Sequence, residues 1–268
     1  HLIALAQRDL NITTTTHTQN NAQGSQTNIA RVAGLYVTGN NGTLLASANR
    51  DINLIAAAIK NAAPISVDTT HTTTHTNQNH TTTPTGNTTL TAGHHLNLGT
   101  VTQSNNNRIV WNPHNHRSDA SKTDIGTTIQ TQGQLTLQAG NDLHAKAAHI
   151  TTTQGALLAR AGNNVNLSAG QANQTVDEAH QHTGRSSAFS SKTITTRDTR
   201  DQTTAQATTL SGKTTTVLAN QNINLKGSNV VSDNGTTLSA QNNHNIAAAT
   251  NTTAEPHSRA EKKSGIPR

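Results

Sequence analysis

A seven-residue phrase recurs along the chain and limits what it can fold into. It reads alanine, two residues, aspartate or asparagine, an apolar residue, asparagine, and a second apolar residue. It stands as Ala6-Gln-Arg-Asp9-Leu-Asn-Ile12 and as Ala48-Asn-Arg-Asp51-Ile-Asn-Leu54. Ala92-Gly-His-His95-Leu-Asn-Leu98 carries histidine in the acidic slot, and Ala139-Gly-Asn-Asp142-Leu-His-Ala145 and Ala161-Gly-Asn-Asn164-Val-Asn-Leu167 follow. Ala219-Asn-Gln-Asn222-Ile-Asn-Leu225 and Ala240-Gln-Asn-Asn243-His-Asn-Ile246 are the last copies. Gly42, Gly86, Gly133 and Gly155 each precede the alanine by six residues, with Gly212 and Gly235 slipped by one. Successive slots are 42, 44, 47, 22, 58 and 21 residues apart, so the unit is 21–22 residues and several intervals lie near twice that. A period of that size is the signature of a solenoid.

Each unit reads as short strands between tight turns. Leu135–Ala139 and Leu143–Ala145 alternate apolar and polar residues, and Gly-Asn-Asp between them is turn chemistry. The expected fold is all-β: a right-handed parallel β-helix of about ten coils, each rising about 4.8 Å. It forms one continuous array over residues 1–268. The missing initiator methionine suggests a fragment of a longer protein.

Composition agrees with a thin core. Thr and Asn number 49 and 32 of the 268 residues, and the aromatics are Trp111, Tyr36 and Phe189 alone. Apolar residues make up 31%, against roughly 45–50% in an ordinary domain. A single-core enzyme, anchored on large aromatic side chains, is not expected on that ground. The net charge of +6 comes without a basic run or stacking aromatics, so nucleic acid is not an expected partner. The absence of Cys removes disulfide frameworks and thiolate metal sites and fits an exported protein.

Four polar, Thr/Asn-rich insertions interrupt the phrase, near 13–28, 68–83, 104–124 and 172–209. They are expected either as Thr-rich strands that lengthen a coil or as protruding loops, and runs such as Thr193-Ile-Thr-Thr favour strands. Among the 15 histidines, His71 and His75 would share a strand face while His80 points away. His94-His95, His114/His116 and His180/His182 have no carboxylate set at a recognisable ligand spacing, so no metal site is expected. Asp9, Asp51 and Asp142 recur at one turn slot and serve the repeat. Catalysis needs one unique constellation, so no catalytic residue and no cofactor are expected. The Gly-Gly-x-Gly-x-Asp calcium phrase does not occur.

Leu137-Gln-Ala-Gly-Asn-Asp-Leu143, Gly227-Ser-Asn-Val-Val-Ser-Asp-Asn-Gly235 and Glu261-Lys-Lys-Ser-Gly-Ile266 resemble the haemagglutinin repeats of bacterial two-partner-secretion exoproteins. These include filamentous haemagglutinin-like adhesins and contact-dependent growth inhibition effectors. The resemblance implies a β-helical stalk that is secreted through an outer-membrane two-partner-secretion transporter and displayed on the bacterial cell surface. Its implied partner is a receptor on a host cell or neighbouring bacterium, and its implied roles are adhesion or toxin delivery. The Asn-Pro-Asn and Val-Glu-Asn-Asn landmarks of that family do not occur in the chain. A two-partner-secreted haemolysin and a polysaccharide-active β-helix enzyme are the alternatives. The enzyme would need paired carboxylates in a cleft and aromatic platforms.

Overall fold

The computed structural model describes residues 1–39, 42–61, 86–187 and 190–265. Three parallel sheets run its length, and the chain visits them in turn. The first holds seven strands: Leu2–Ala6, Leu44–Ala48, Thr88–Ala92, Leu135–Ala139, Ala156–Ala161, Thr214–Ala219 and Thr236–Ala240. The second also holds seven: Leu10–Thr13, Ile52–Ile55, Leu96–Gly99, Leu143–Lys146, Val165–Ser168, Asn222–Lys226 and Asn243–Ala247. The third holds six, from Gly34–Val37 through Ala58–Asn61, Thr128–Thr131, His149–Thr152 and Thr208–Gly212 to Ser228–Ser232. The fold is a parallel β-helix. Among the described residues there is no helix, and thus none long and apolar enough to cross a membrane.

The phrase explains the register. Its alanines stack as one column, Ala6, Ala48, Ala92, Ala139, Ala161, Ala219 and Ala240. Each sits where the chain leaves the first sheet, and Ala92, Ala139 and Ala161 are buried. A small side chain is needed there because the corner is narrow. The apolar position after the slot gives a second column, with Ile52, Leu96, Leu143, Val165 and Ile223 fully buried. Four inner strands of the third sheet each contribute one large buried aliphatic, Ile59, Ile129, Ile150 and Leu210. Each such side chain contributes about 1.5–3 kcal/mol by leaving water. Repetition of these columns, with no aromatic in them, builds the core.

Among the described residues the first sheet has seven strands, one for each coil, against about ten coils expected. Several slot intervals are near twice the 21–22-residue unit. In three of the long intervals the extra residues form an antiparallel hairpin. The first hairpin pairs Thr15–Asn21 with Gly24–Arg31, the second pairs Val101–Asn112 with Asn115–Ile125, and the third pairs Gly170–Ser187 with Ser190–Gln206. The insertion near 68–83 lies outside the described residues.

All three hairpins leave after the second sheet, on the first, third and fifth coils. The second, fourth and sixth coils turn tightly at the same corner, through Ala56, Ala147 and Gly227 with φ of 48°, 49° and 58°. Hairpins on alternate coils have a geometric reason. A hairpin is two strands wide, about 9.6 Å, and two coils rise by the same amount. One hairpin every second coil therefore tiles edge to edge. Gly24–Arg31 pairs with Val101–Asn112, and Asn115–Ile125 pairs with Gly170–Ser187. Thr252–Ala254 and His257–Gly265 both pair with Ser190–Gln206 and extend this lateral antiparallel sheet.

Threonine hydroxyls splice the corners where hairpins leave and return. Thr127 Oγ1 donates to the Leu54 carbonyl at 2.7 Å and accepts from the Ala57 N–H at 3.2 Å. Thr208 Oγ1 donates to the Ser168 carbonyl at 2.7 Å and accepts from the Ala148 N–H at 3.1 Å. Thr14 Oγ1 donates to the Ala56 carbonyl at 2.6 Å. All three threonines are buried, and each satisfies backbone groups that the departing chain would otherwise leave unpaired.

Candidate interaction surface and side-chain clusters

The lateral sheet is the broadest irregular feature on the rod. Its strands lengthen from 7 and 8 residues in the first hairpin to 18 and 17 in the third. Its surface is Thr, Asn, Gln and Ser interleaved with ion pairs. Asp177 accepts two hydrogen bonds from Arg197, at 3.0 and 2.9 Å, and lies 3.9 Å from His116. The Arg197 guanidinium is the main reason the Asp177 carboxyl is held below the usual range. Arg117 reaches Asp119 at 3.0 Å and Glu178 at 3.6 Å, and Glu178 meets His180 at 2.6 Å. Trp111, 57% exposed, stacks on His180 with ring centroids 6.1 Å apart. The His116–Asp177, Arg117–Glu178 and Trp111–His180 contacts bridge the second and third hairpins, so they fix the sheet laterally while leaving its surface polar.

Asp124 ties the sheet to the rod. Its carboxylate meets Lys146 Nζ at 2.7 Å and accepts from the Gln171 N–H at 3.2 Å and the Thr102 hydroxyl at 3.0 Å. Burial raises the affinity of Asp124 for a proton. The Lys146, Gln171 and Thr102 hydrogen bonds outweigh that and leave its pKa lowered. One side chain thus joins the second hairpin, the root of the third and the tightly turning fourth coil.

The turn slot forms a ladder of its own. Asp9 Oδ1 accepts from the Asp51 N–H at 3.3 Å, and Asp51 Oδ1 from the His95 N–H at 3.0 Å. Asp142 Oδ1 accepts from the Asn164 N–H at 3.0 Å, and Asn164 Oδ1 from the Asn222 N–H at 3.2 Å. At its start, Arg50 donates to Asp9 at 2.7 and 2.5 Å. That bond, opposed by partial burial and aided by the Asp51 N–H, lowers the Asp9 pKa to about 2. Two residues on, a second ladder runs through amides: Asn53 donates to Asn11, and Asn97 to Asn53, both at 2.8 Å. It continues from Asn166 upward, Asn224 donating to Asn166 and Asn245 to Asn224, both at 2.7 Å.

Both ladders change character at the same level. His95 occupies the slot column and His144 the amide column, with Asp142 beside them. These three are the one group of three or more potential metal ligands among the described residues, their ligand atoms all within 4.8 Å of one another. Spacing along the chain conceals this grouping, because Asp142 and His144 stand a whole hairpin-bearing coil away from His95. His114 has no such grouping, whereas His116 and His180 belong to the ion pairs above. His71, His75, His80 and Phe189 lie outside the described residues.

Thin aliphatic columns, polar turn ladders and a lateral hairpin sheet together define a repeat-built structural rod. The chain belongs to the Hemagglutinin repeat family, whose model matches residues 11–184 and 186–266. This is a structural, adhesin-type family rather than an enzymatic one. Searches of curated proteins and of solved structures gave no match.

Proposed function

We propose that the chain is a stalk segment of a secreted, cell-surface filamentous haemagglutinin-like protein acting in adhesion or contact-dependent toxin delivery. An outer-membrane two-partner-secretion transporter exports it, and its target is the surface of a host cell or a neighbouring bacterium. Membership of the Hemagglutinin repeat family carries the reading. The architecture supports it: stacked coils extend a rod by about 4.8 Å each without enlarging the core. The polar lateral sheet offers many weak contacts along that rod, which gain strength by repetition. Beads coated with the purified chain test the proposal against animal cells and Gram-negative bacteria. Retention on either, reduced when residues 175–201 are replaced by a short turn, is the expected result. No retention on either would overturn it.

A further inference from the structure

We propose that His95, Asp142 and His144 form a binding site for one divalent transition-metal ion of the zinc class. Three observations point there independently of the stalk reading. The first is that both turn ladders are interrupted together. Elsewhere the slot column carries Asp or Asn and the neighbouring column Asn, each passing a hydrogen bond to the next coil. Histidine enters both columns only here, on adjacent coils, and so creates a unique constellation in a repetitive array.

The second observation is the state of the ligand atoms. His95 Nδ1 is buried and has no hydrogen-bond partner. It stands 3.6 Å from Asp142 Oδ2, beyond hydrogen-bond range. Two ligands of a tetrahedral zinc ion, each about 2.0–2.1 Å from the metal, are about 3.3–3.4 Å apart. The observed separation is close to that, so a cation between these atoms would satisfy the orphaned nitrogen.

The third is the set of second contacts that orient the ligands. Asp142 Oδ1 is occupied by the Asn164 N–H and by Asn164 Nδ2, both at 3.0 Å, which leaves Oδ2 free. His144 Nδ1 faces Asn166 Nδ2 at 3.3 Å, which leaves Nε2 available. Such outer contacts fix ring and carboxylate orientation at metal sites. Two imidazoles and one carboxylate suit zinc and its neighbours, whereas calcium and magnesium demand an oxygen shell. The His95 side chain is 38% exposed and His144 is exposed, so the cluster lies at the surface of the rod. A fourth ligand can be water or a donor group from a bound surface.

The test uses isothermal titration of the EDTA-treated chain with zinc chloride, with thermal unfolding followed in parallel. The variants are His95→Asn and His144→Asn, which restore the residue types that both columns carry elsewhere and so preserve the ladders. One tight equivalent and a zinc-dependent rise in Tm are expected for the wild type. Each variant should fold, bind that equivalent at least about tenfold more weakly and lose the rise. Absence of a tight equivalent in the wild type would overturn the proposal. So would its persistence in the double variant, which would assign the metal to other histidines.

Discussion

The coils and the lateral sheet are built from one chain on opposite principles. In the coils, side chains such as Leu137, Leu143 and Ile150 are fully buried, and every strand is in parallel register with its neighbours. In the lateral sheet, Ala179 is the one buried apolar residue among the described residues, and Val110 and Trp111 are more than half exposed. Burial stabilises the first region. The second is held by backbone pairing, bridging ion pairs and the spacing at which the coils present their hairpins. A sheet with so little apolar contact would be marginal alone, so the solenoid acts as its template.

Core substitution separates the two regions most sharply. Leu137→Ala removes a fully buried side chain and is expected to cost about 2–5 kcal/mol in denaturant unfolding. Val110→Ala, on the second hairpin, should change stability by less than about 0.5 kcal/mol. Similar costs at the two sites would mean that the sheet carries its own core.

The junction between the regions comes next. Thr208→Val keeps the shape and removes the hydroxyl that serves Ser168 and Ala148. A loss of about 1–3 kcal/mol is expected, together with faster hydrogen exchange at Ala148 and at the root of the third hairpin. A neutral result would show that the corner is solvated.

Smaller effects refine the coil side. Ala147 holds φ of 49°, a left-handed conformation that Gly227 adopts at the equivalent corner of the sixth coil. Ala147→Gly relieves that strain at some entropic cost, and a Tm unchanged or raised by the equivalent of about 1 kcal/mol is expected. The reverse change, Gly227→Ala, should lower Tm, since its Cβ would lie 2.3 Å from that of Ala249.

Acid titration addresses the exposed end of the slot ladder. The folded pKa of Asp9, about 2, lies below its usual value of 3.8. Its ion pair with Arg50 therefore stabilises the fold fully above about pH 4 and is lost as pH falls towards 2. Arg50→Ala should flatten that part of the stability–pH curve, a small change given the exposure of Arg50 and reduced further by salt. An unchanged curve would place the acid sensitivity elsewhere, with Asp177 and Glu261 the next carboxylates to examine.

Much of the coil body is legible in the sequence because its columns repeat residue types. The recurrent alanine and the apolar residues around the slot mark the first two sheets directly. The third sheet is harder to read, because strands such as Thr128–Thr131 and His149–Thr152 each carry a single large aliphatic between polar residues. The hairpins show in the sequence as alternating threonine runs, but with no apolar face nothing in their composition states that they pair with one another. Coil number is hard to read for the same reason: the first two hairpins, over 15–31 and 101–125, fill about the same length of chain as an extra coil. The His95, Asp142 and His144 grouping is invisible along the chain because it forms between coils whose slots are 47 residues apart.

The lateral sheet tiles because two coils rise by the width of one hairpin. Deleting residues 135–156 removes one tightly turning coil of 22 residues and rejoins the strands in register, as Leu135 and Leu157 are partners. The second and third hairpins then start on adjacent coils, about 4.8 Å apart, where two strands of each cannot lie side by side. Hydrogen exchange followed by mass spectrometry reads the outcome. Amides of Asn115–Ile125 and Gly170–Ser187 are predicted to lose protection, while Leu96–Gly99 and Val165–Ser168 keep theirs. Undiminished protection across both hairpins in the deletion variant would show that the sheet does not depend on the spacing of the coils.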